Sequence, residues 1–367
     1  MDALPRFSSV RRTHMRMSFV AHSVRIGMTL VAGAVLAVSL TACSAKDEQA
    51  AIDHSKEVVV YSARAEHLIK PLFEQYMQET GAKITWLTDK EGPLLERIKA
   101  EGDRTPADLF MTVDAGNLWK AADEGVLQAA NSKALDAAVP EAYRDPEGRW
   151  YGLSLRSRTL VYNTNKVKPE ELSSYAGLAD AQWKERLCLR TSKKVYNQSL
   201  VALMIQRYGE AKTEEIVRGW VANLAVPPFS NDTKAMEAVA EGVCDVTVVN
   251  TYYFGRLQKK SPDLPLAIAW PGQAENGTGV HMNVSGAGIV KNADNAAGAR
   301  ALLEWLASPA AQAQFAGLNM EFPVRSDVAL DPVVASWGSF KADTLRVADA
   351  GRLQPQAVML MDRAGWK

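Results

Sequence analysis

Residues 243–257 read VCDVTVVNTYYFGRL, and the other elements of the chain repeat the pattern of this stretch. Its first half, 243–249, has the apolar and β-branched composition of a short buried strand. A helix is predicted to begin within 255–258, with Asn250 or Thr251 as its N-cap. The stretch therefore predicts a strand that bends into a helix, which is the repeating unit of an α/β fold.

Two adjacent tyrosines, Tyr252 and Tyr253, stand at this bend. In a continuing strand their rings would point to opposite faces, whereas at a bend both phenols can converge on one point. A phenol has a reference pKa of about 10, so it becomes an anion at neutral pH only if a strong cation replaces its proton. Each phenolate costs about 4 kcal/mol at pH 7, which a hard trivalent ion such as ferric iron can offset. The alternative is one ring packed in the core and the other hydrogen-bonded at the surface.

Strands and helices alternate on both sides of this stretch. Strands are predicted at 57–61, 84–87, 108–112, 153–162, 186–190, 266–270 and 285–290, and helices at 67–80, 93–101, 117–124, 200–209, 296–308, 310–318 and 355–363. The alternation predicts an α/β sheet with parallel strands. With 367 residues the chain exceeds one typical domain, so two lobes with separate cores are expected.

A third tyrosine, Tyr196, occupies the same kind of position as the pair. It follows the predicted strand that ends at Arg190, and it precedes a helix for which Asn197 and Ser199 are candidate caps. In open α/β sheets ligands bind beyond the carboxyl ends of strands, where helix N-termini favour anions. The three tyrosines are therefore candidate ligands of one site.

The beginning of the chain carries export signals. An apolar run at 26–41 follows several arginines; it is short for a membrane span and typical of a secretory signal. The run ends in a sequence that resembles a bacterial lipobox, in which Cys43 would become the lipidated first residue. Residues 1–43 are thus predicted to be a lipoprotein signal peptide and 44–56 a polar tether. We expect a periplasmic protein anchored to a membrane by lipid alone; an incidental cysteine is the alternative for Cys43.

Export also changes the interpretation of the two remaining cysteines. Cys188 and Cys244 each lie in a predicted strand, and oxidation of such a pair is favoured outside the cytosol. Two free thiols are the alternative. Neither cysteine has the nearby Cys or His that a zinc site would require.

Composition argues against other classes of function. Lys plus Arg equals Asp plus Glu at 42 each, so a polyanion such as nucleic acid is not an expected partner. Histidines number five, and three of them lie within the first 54 residues. The sequence lacks a Gly-x-Ser-x-Gly elbow, a His-Glu-x-x-His motif and a phosphate-binding glycine loop, so an enzyme is not expected.

Nine short segments in a fixed order resemble one known family. They are VVYSAR at 59–64, TPAD at 105–108, TVDAG at 112–116, GLSLR at 152–156, VYNQSL at 195–200, GVCD at 242–245, NTYY at 250–253, EFPV at 321–324 and AVMLMDRAGW at 357–366. Together they resemble the ferric-ion-binding receptors of bacterial iron ABC transporters. The family consists of periplasmic binding proteins whose two α/β lobes close on the ligand.

The resemblance implies that Tyr196, Tyr252 and Tyr253 bind Fe(III) as phenolates, all from the second lobe. Family members often add a His or a His-Tyr pair from the first lobe, but this sequence departs there and reads RAEH at 64–67. His67 is a possible extra ligand, or else an exposed residue at a helix start.

Members that lack first-lobe ligands complete the iron coordination with a small anion, commonly carbonate. Arg64 and Arg156 are candidates to hold such an anion through forked, charge-assisted bonds. The alternative for both arginines is ion pairing at the surface or between lobes.

The resemblance further predicts a class II-like, hinge-closing fold with lobe 1 at 57–155 and 285–335 and lobe 2 at 156–284 and 336–367. The expected function is a monomeric receptor that delivers iron to an inner-membrane ABC permease and its ATPase. Two alternatives stay open: a receptor of the same fold for an oxyanion, polyamine or thiamine, and a tyrosinate-iron enzyme.

Overall fold

The computed structural model of the protein describes Asp53 and residues 55–367. The predicted signal peptide with Cys43 and most of the predicted tether lie outside the described residues, so these assignments remain predictions. Within the described part of the chain, no helix is both long and apolar enough to cross a membrane.

The described residues form nine strands: β1 Val58–Ser62, β2 Ile84–Thr88, β3 Leu109–Val113, β4 Leu127–Gln128, β5 Tyr151–Asn163, β6 Leu187–Cys188, β7 Val246–Asn250, β8 Leu266–Ala269 and β9 Met282–Val290. They also form thirteen α-helices: α1 Glu66–Thr80, α2 Glu91–Glu101, α3 Ala115–Asp123, α4 Lys133–Ala138, α5 Val195–Tyr208, α6 Glu210–Ala222, α7 Asp232–Ala240, α8 Thr251–Lys260, α9 Ala296–Leu306, α10 Pro309–Asn319, α11 Pro332–Ser336, α12 Val347–Gly351 and α13 Gln354–Arg363.

The strands follow the order β2-β1-β3-β9-β5-β7-β6, with β4 paired to β9 and β8 paired to β5. Pairing is parallel between β1 and its neighbours β2 and β3, and between β6 and β7. It is antiparallel wherever β5 or β9 takes part. The prediction of a parallel sheet is therefore wrong for its centre. Antiparallel neighbours do not need the helical crossover that parallel neighbours require, so the alternation of strands and helices along the chain does not fix the direction of pairing.

Strand β5 joins the two halves of the molecule. Its thirteen residues are all buried. The part from Tyr151 to Ser157 pairs with β9, and the part from Arg158 to Tyr162 pairs with β7. Large apolar side chains gather in one core that includes Phe73 and Phe110, and in a second core around Trp183, Trp220 and Trp366. The fold is thus a mixed α/β architecture in which long central strands connect two cores.

The two tyrosine-bearing helices begin about one turn before their predicted starts. Helix α8 starts at Thr251, directly after β7, and Asn250 is its N-cap residue, although its side chain makes no capping hydrogen bond. Helix α5 starts at Val195, so the prediction that Asn197 and Ser199 cap it is wrong. Both side chains are engaged elsewhere: Asn197 Nδ2 donates to the carbonyl oxygen of Arg190 at 3.1 Å, and Ser199 Oγ donates to an Asp114 carboxylate oxygen at 2.6 Å.

A disulfide joins the chain segments that precede the two tyrosine-bearing helices. Cys188, at the end of β6, and Cys244, shortly before β7, are joined with their Cα atoms 5.9 Å apart. Both cysteines are buried. The bond connects the two chain segments that lead to Tyr196 and to the Tyr252–Tyr253 pair.

Candidate functional site

The three predicted tyrosines come together at the starts of two helices. Tyr196 lies in the first turn of α5, and Tyr252 and Tyr253 lie in the first turn of α8. The Tyr252 and Tyr253 ring centroids are 4.4 Å apart. All three line one open cavity of about 200 Å³. Helix N-termini present unpaired N–H groups, so the local field favours negative charge on these phenols.

Local packing fixes where α8 presents its tyrosines. Strand β7 is completely buried, and the chain turns into α8 without an intervening loop. Gly255 allows the helix to lie close to its neighbours, since a Cβ there would be 2.7 Å from Met320 Sδ and 2.9 Å from Trp337 Cζ2. The ring of Phe254 packs against Trp337 with centroids 6.0 Å apart. The helix start is therefore held rigidly by the core behind it.

Burial keeps the phenols of Tyr196 and Tyr252 protonated in the absence of a cation. Tyr252 is 5% exposed; burial raises its pKa well above the ordinary value, and the neighbouring Tyr196 and Tyr253 raise it further. Burial also raises the pKa of Tyr196, which is 8% exposed, although Arg156 acts in the opposite direction. A metal that binds here must therefore displace protons, and its affinity depends on pH.

Four cationic side chains surround the three rings. The Cζ atoms of Arg156 and Arg190 lie 5.4 and 5.7 Å from the Tyr196 ring centroid, and Lys194 Nζ lies 4.8 Å from it. Arg256 Cζ lies 5.0 Å from the Tyr252 centroid and 5.3 Å from that of Tyr253. The site thus combines three ionisable phenols with several positively charged side chains.

Sequence reasoning missed Arg190, Lys194 and Arg256 as site residues. A local signal was available for Arg256, because it lies three and four residues after the tyrosine pair and so shares their helical face. Lys194 immediately precedes the first turn of α5. Arg190 is brought to the tyrosines by the path of the chain after β6, which no local pattern encodes.

Arg156, predicted from the sequence, reaches the site from β5. One Nη donates to Ser285 Oγ at 2.7 Å and the other to the Val284 carbonyl oxygen at 2.8 Å. Its Nε is buried and has no hydrogen-bond partner among the described residues. Burial opposes the charge of Arg156, but the facing oxygens of Tyr196 and Tyr252 raise its pKa above the ordinary value.

Arg64 also lines the cavity, and the structure shows it in an ion pair. Its Nη2 lies 3.0 Å from Glu321 Oε2, and both side chains are buried. Ser154 Oγ donates to the same carboxylate oxygen at 2.7 Å, and the guanidinium stacks 4.6 Å from the Phe315 ring centroid. Its Nε, like that of Arg156, is buried without a partner among the described residues.

His67 is the second residue of α1. It is exposed and lies at the lining of the same cavity, as the tyrosines do. Across residues 55–367 and Asp53, no group of three or more His, Cys, Asp and Glu side chains is placed to hold a metal ion.

Comparison with known proteins gives consistent results. Residues 104–342 match the family described as bacterial extracellular solute-binding protein. Iron uptake protein A1 of Synechocystis sp. is 41% identical over 354 residues, which cover 94% of this chain and 97% of the relative. A Trichodesmium protein solved in complex with iron and citrate ligands is 42% identical, with a TM-score of 0.81 over 85% of this chain and all of that one. Ferric iron-binding protein A of Mannheimia haemolytica, solved in an open conformation, is 34% identical, with a TM-score of 0.79 over 85% of this chain and 99% of that one. The chain therefore belongs to the bacterial extracellular solute-binding protein family.

Proposed function

We propose that this protein is an extracytoplasmic receptor that binds ferric iron through the phenolate oxygens of Tyr196, Tyr252 and Tyr253. The convergence of three phenols on one cavity, at two helix N-termini, carries this proposal. Hard trivalent ions favour anionic oxygen ligands, and three phenolates balance the charge of Fe(III). The names of the relatives, which describe iron uptake and ferric iron binding, support the same ion.

A small anion completes the iron coordination in this proposal. Three phenolates and Fe(III) sum to zero charge, so they do not balance the positive charge of the surrounding Arg156, Lys194 and Arg256. The buried Nε donors of Arg64 and Arg156 are also unpaired among the described residues, and an anion in the cavity would satisfy them. Carbonate fits these requirements, as does a carboxylate such as the citrate in the Trichodesmium structure.

Delivery to an ABC permease and its ATPase follows from a receptor role. The site needs only to bind and release its ligand, so no catalytic base is required and we propose no enzymatic activity. We propose lobe 1 at 57–155 and 285–335 and lobe 2 at 156–284 and 336–367. Two of these boundaries fall within β5 and β9, so closure would bend the paired central strands, and the third falls in α11.

We also propose that the receptor acts as a monomer in the periplasm and is anchored through lipid on Cys43. Stable attachment requires two acyl chains or more, which lipobox processing supplies. Cys43→Ser should leave the protein unprocessed or move it to the soluble fraction of the cell. A wild-type protein found entirely in the soluble fraction would contradict the anchor.

The deciding experiment is a ferric titration of the purified protein with and without bicarbonate, followed by visible spectroscopy and metal analysis. Ferric phenolate absorbs visible light through charge transfer, so a coloured, stoichiometric complex is expected. Binding of an oxyanion, a polyamine or thiamine without any coloured ferric complex would instead identify the tyrosines as an aromatic wall. Bicarbonate should strengthen iron binding if an anion completes the site.

A further inference from the structure

A buried ionic cluster lies behind the three tyrosines. Asp232, the first residue of α7, accepts hydrogen bonds from Arg158 Nη1 at 2.7 Å and from the backbone N–H of Asn250 at 3.0 Å, both on Oδ2. Its other oxygen lies 3.5 Å from Arg190 Nη1. The side chain of Asp232 is 0% exposed, that of Arg158 1% and that of Arg190 11%. One buried carboxylate thus pairs with two guanidinium groups.

Arg158 links the two helix starts that carry the tyrosines. Its Nη2 donates to Asn197 Oδ1 at 2.6 Å, and Asn197 directly follows Tyr196 in α5. Its Nη1 also donates to Asn250 Oδ1 at 3.3 Å, and the Nδ2 of the same asparagine donates to the Tyr252 oxygen at 3.3 Å. The spacing between Tyr196 and Tyr252 therefore depends on one arginine that touches neither phenol.

The cluster carries one positive charge more than its single carboxylate can balance. Arg190 lies close to the tyrosines as well as to Asp232, since its Cζ is 5.7 Å from the Tyr196 ring centroid. Its Nε and Nη1 have no hydrogen-bond partner that meets normal geometry among the described residues. The unbalanced charge thus lies beside the Tyr196 ring, where a phenolate would be attracted to it.

We propose that Asp232 is a positioning residue for the ferric site. Arg158 connects it to both tyrosine-bearing helix starts, and Asp232 weakens the positive field that Arg190 exerts on the phenolate oxygens. This inference rests on the proposed function. Groups that hold metal ligands in place typically contribute about 10- to 100-fold to metal affinity, so the cluster should affect iron binding measurably.

The test compares the visible band of the iron complex in matched variants. Asp232→Asn keeps the size of the side chain and removes the charge that restrains Arg190. The phenolates then become poorer electron donors, so the band should move to shorter wavelength and ferric affinity should fall about 10- to 100-fold. Arg190→Gln removes the opposite charge and should move the band to longer wavelength. The double variant restores the charge balance, so its band should return toward the wild-type position.

Asp343→Asn is the matched control. The Asp343 side chain is 2% exposed and pairs at 2.6 Å with Arg207, which lies at the far end of α5 from Tyr196. This variant loses a comparable ion pair and should keep the wild-type band position. Thermal unfolding of each apo variant shows whether it is folded, and Arg190→Gln alone still tests the inference if Asp232→Asn does not fold.

The outcomes separate this inference from the proposed function. A wild-type protein with no ferric phenolate band overturns both. A wild-type band that neither Asp232→Asn nor Arg190→Gln displaces overturns the positioning role alone. An equal displacement in Asp343→Asn also overturns it, because the effect would then reflect a general loss of stability. Opposite displacements that cancel in the double variant support it.

Discussion

Two strand-to-helix junctions face the same cavity and differ in chemistry. At one junction β7 leads directly into α8, and its first turn presents Tyr252 and Tyr253. At the other, β1 leads into α1 through a short loop that presents Arg64, and this arginine pairs with Glu321. The backbone plan is alike, so the chemistry of each junction depends on which side chains stand at the bend.

The difference teaches how such a site can bind a trivalent ion from one side. The β7–α8 junction, here called the tyrosine side, supplies phenols that become anionic ligands once their protons are displaced. The β1–α1 junction, here called the arginine side, supplies the hydrogen-bond donors of Arg64, which attract an anion and repel a metal ion. We infer that the metal is held by the first junction and that the second contributes through an exogenous anion. Four predictions test this division of labour.

The largest effect is expected from pH, because only the tyrosine side exchanges protons for iron. Burial raises the pKa of Tyr196 and Tyr252, so acid favours their protonated forms and opposes iron binding. If iron displaces three protons, each fall of one pH unit should weaken ferric affinity by up to about a thousandfold, which is tenfold for each proton. Competition titrations against a chelator of known affinity at several pH values measure this slope.

The Arg64–Glu321 ion pair should keep its charges over the same pH range. Burial disfavours the Glu321 carboxylate, but Arg64 and Arg156 outweigh it and hold its pKa below the ordinary value. A lowered carboxyl pKa means that the ion pair stabilises the fold above the unfolded-state pKa of about 4 and is lost only below it. Between about pH 7 and pH 5 the protein should therefore lose iron while the apo protein stays folded. Coincident transitions would contradict the division.

Removal of a phenolate should have the next largest effect. Tyr252→Phe keeps the ring and its packing but removes the anionic oxygen, so ferric affinity should fall by at least about a hundredfold, more than for an outer partner. The visible band should weaken or vanish, and Tyr253→Phe should behave alike. Tyr208→Phe, at the exposed end of α5, is the control and should bind iron normally. Normal colour in both site variants would exclude the tyrosine ligands.

Arg64→Ala should lower the free energy of unfolding and also weaken binding of the anion. It leaves Glu321 buried without its partner, and breaking such a pair costs about 3–5 kcal/mol of unfolding free energy. Chemical denaturation of the apo protein measures this loss. The variant should also reduce the dependence of iron binding on bicarbonate, if Arg64 Nε holds the anion. A bicarbonate response equal to that of the wild type would assign the anion to other donors.

His67→Ala should have the smallest effect. The side chain is exposed at the start of α1, so the variant should change ferric affinity by less than about twofold, within the usual range for surface sites. Isothermal or spectroscopic titration in the presence of bicarbonate checks this. Abolished binding would instead make His67 a ligand from the arginine side and remove the need for an anion.

Local sequence patterns identified the tyrosine junction because its information is contiguous. The β-branched run, the bend and the tyrosine pair lie within one stretch of fifteen residues, 243–257, and the same pattern placed Tyr196 at a helix start. Boundaries were less accurate, since α5 and α8 each begin before the predicted position. Asn197 and Ser199 were mistaken for caps because their partners belong to other segments.

What the sequence by itself determined is the kind of chain this is: alternating strands and helices, with three tyrosines at two strand ends. Only the tertiary structure decided what surrounds those tyrosines. Arg64 meets Glu321 across 257 positions, and Arg158 meets Asp232 across 74. Such partners depend on the order of strands in the sheet, where β5 and β9 run antiparallel through the centre. The physical reason is that helices and strands form from local periodicity, whereas buried charges are paired by whichever segments the closed core brings together.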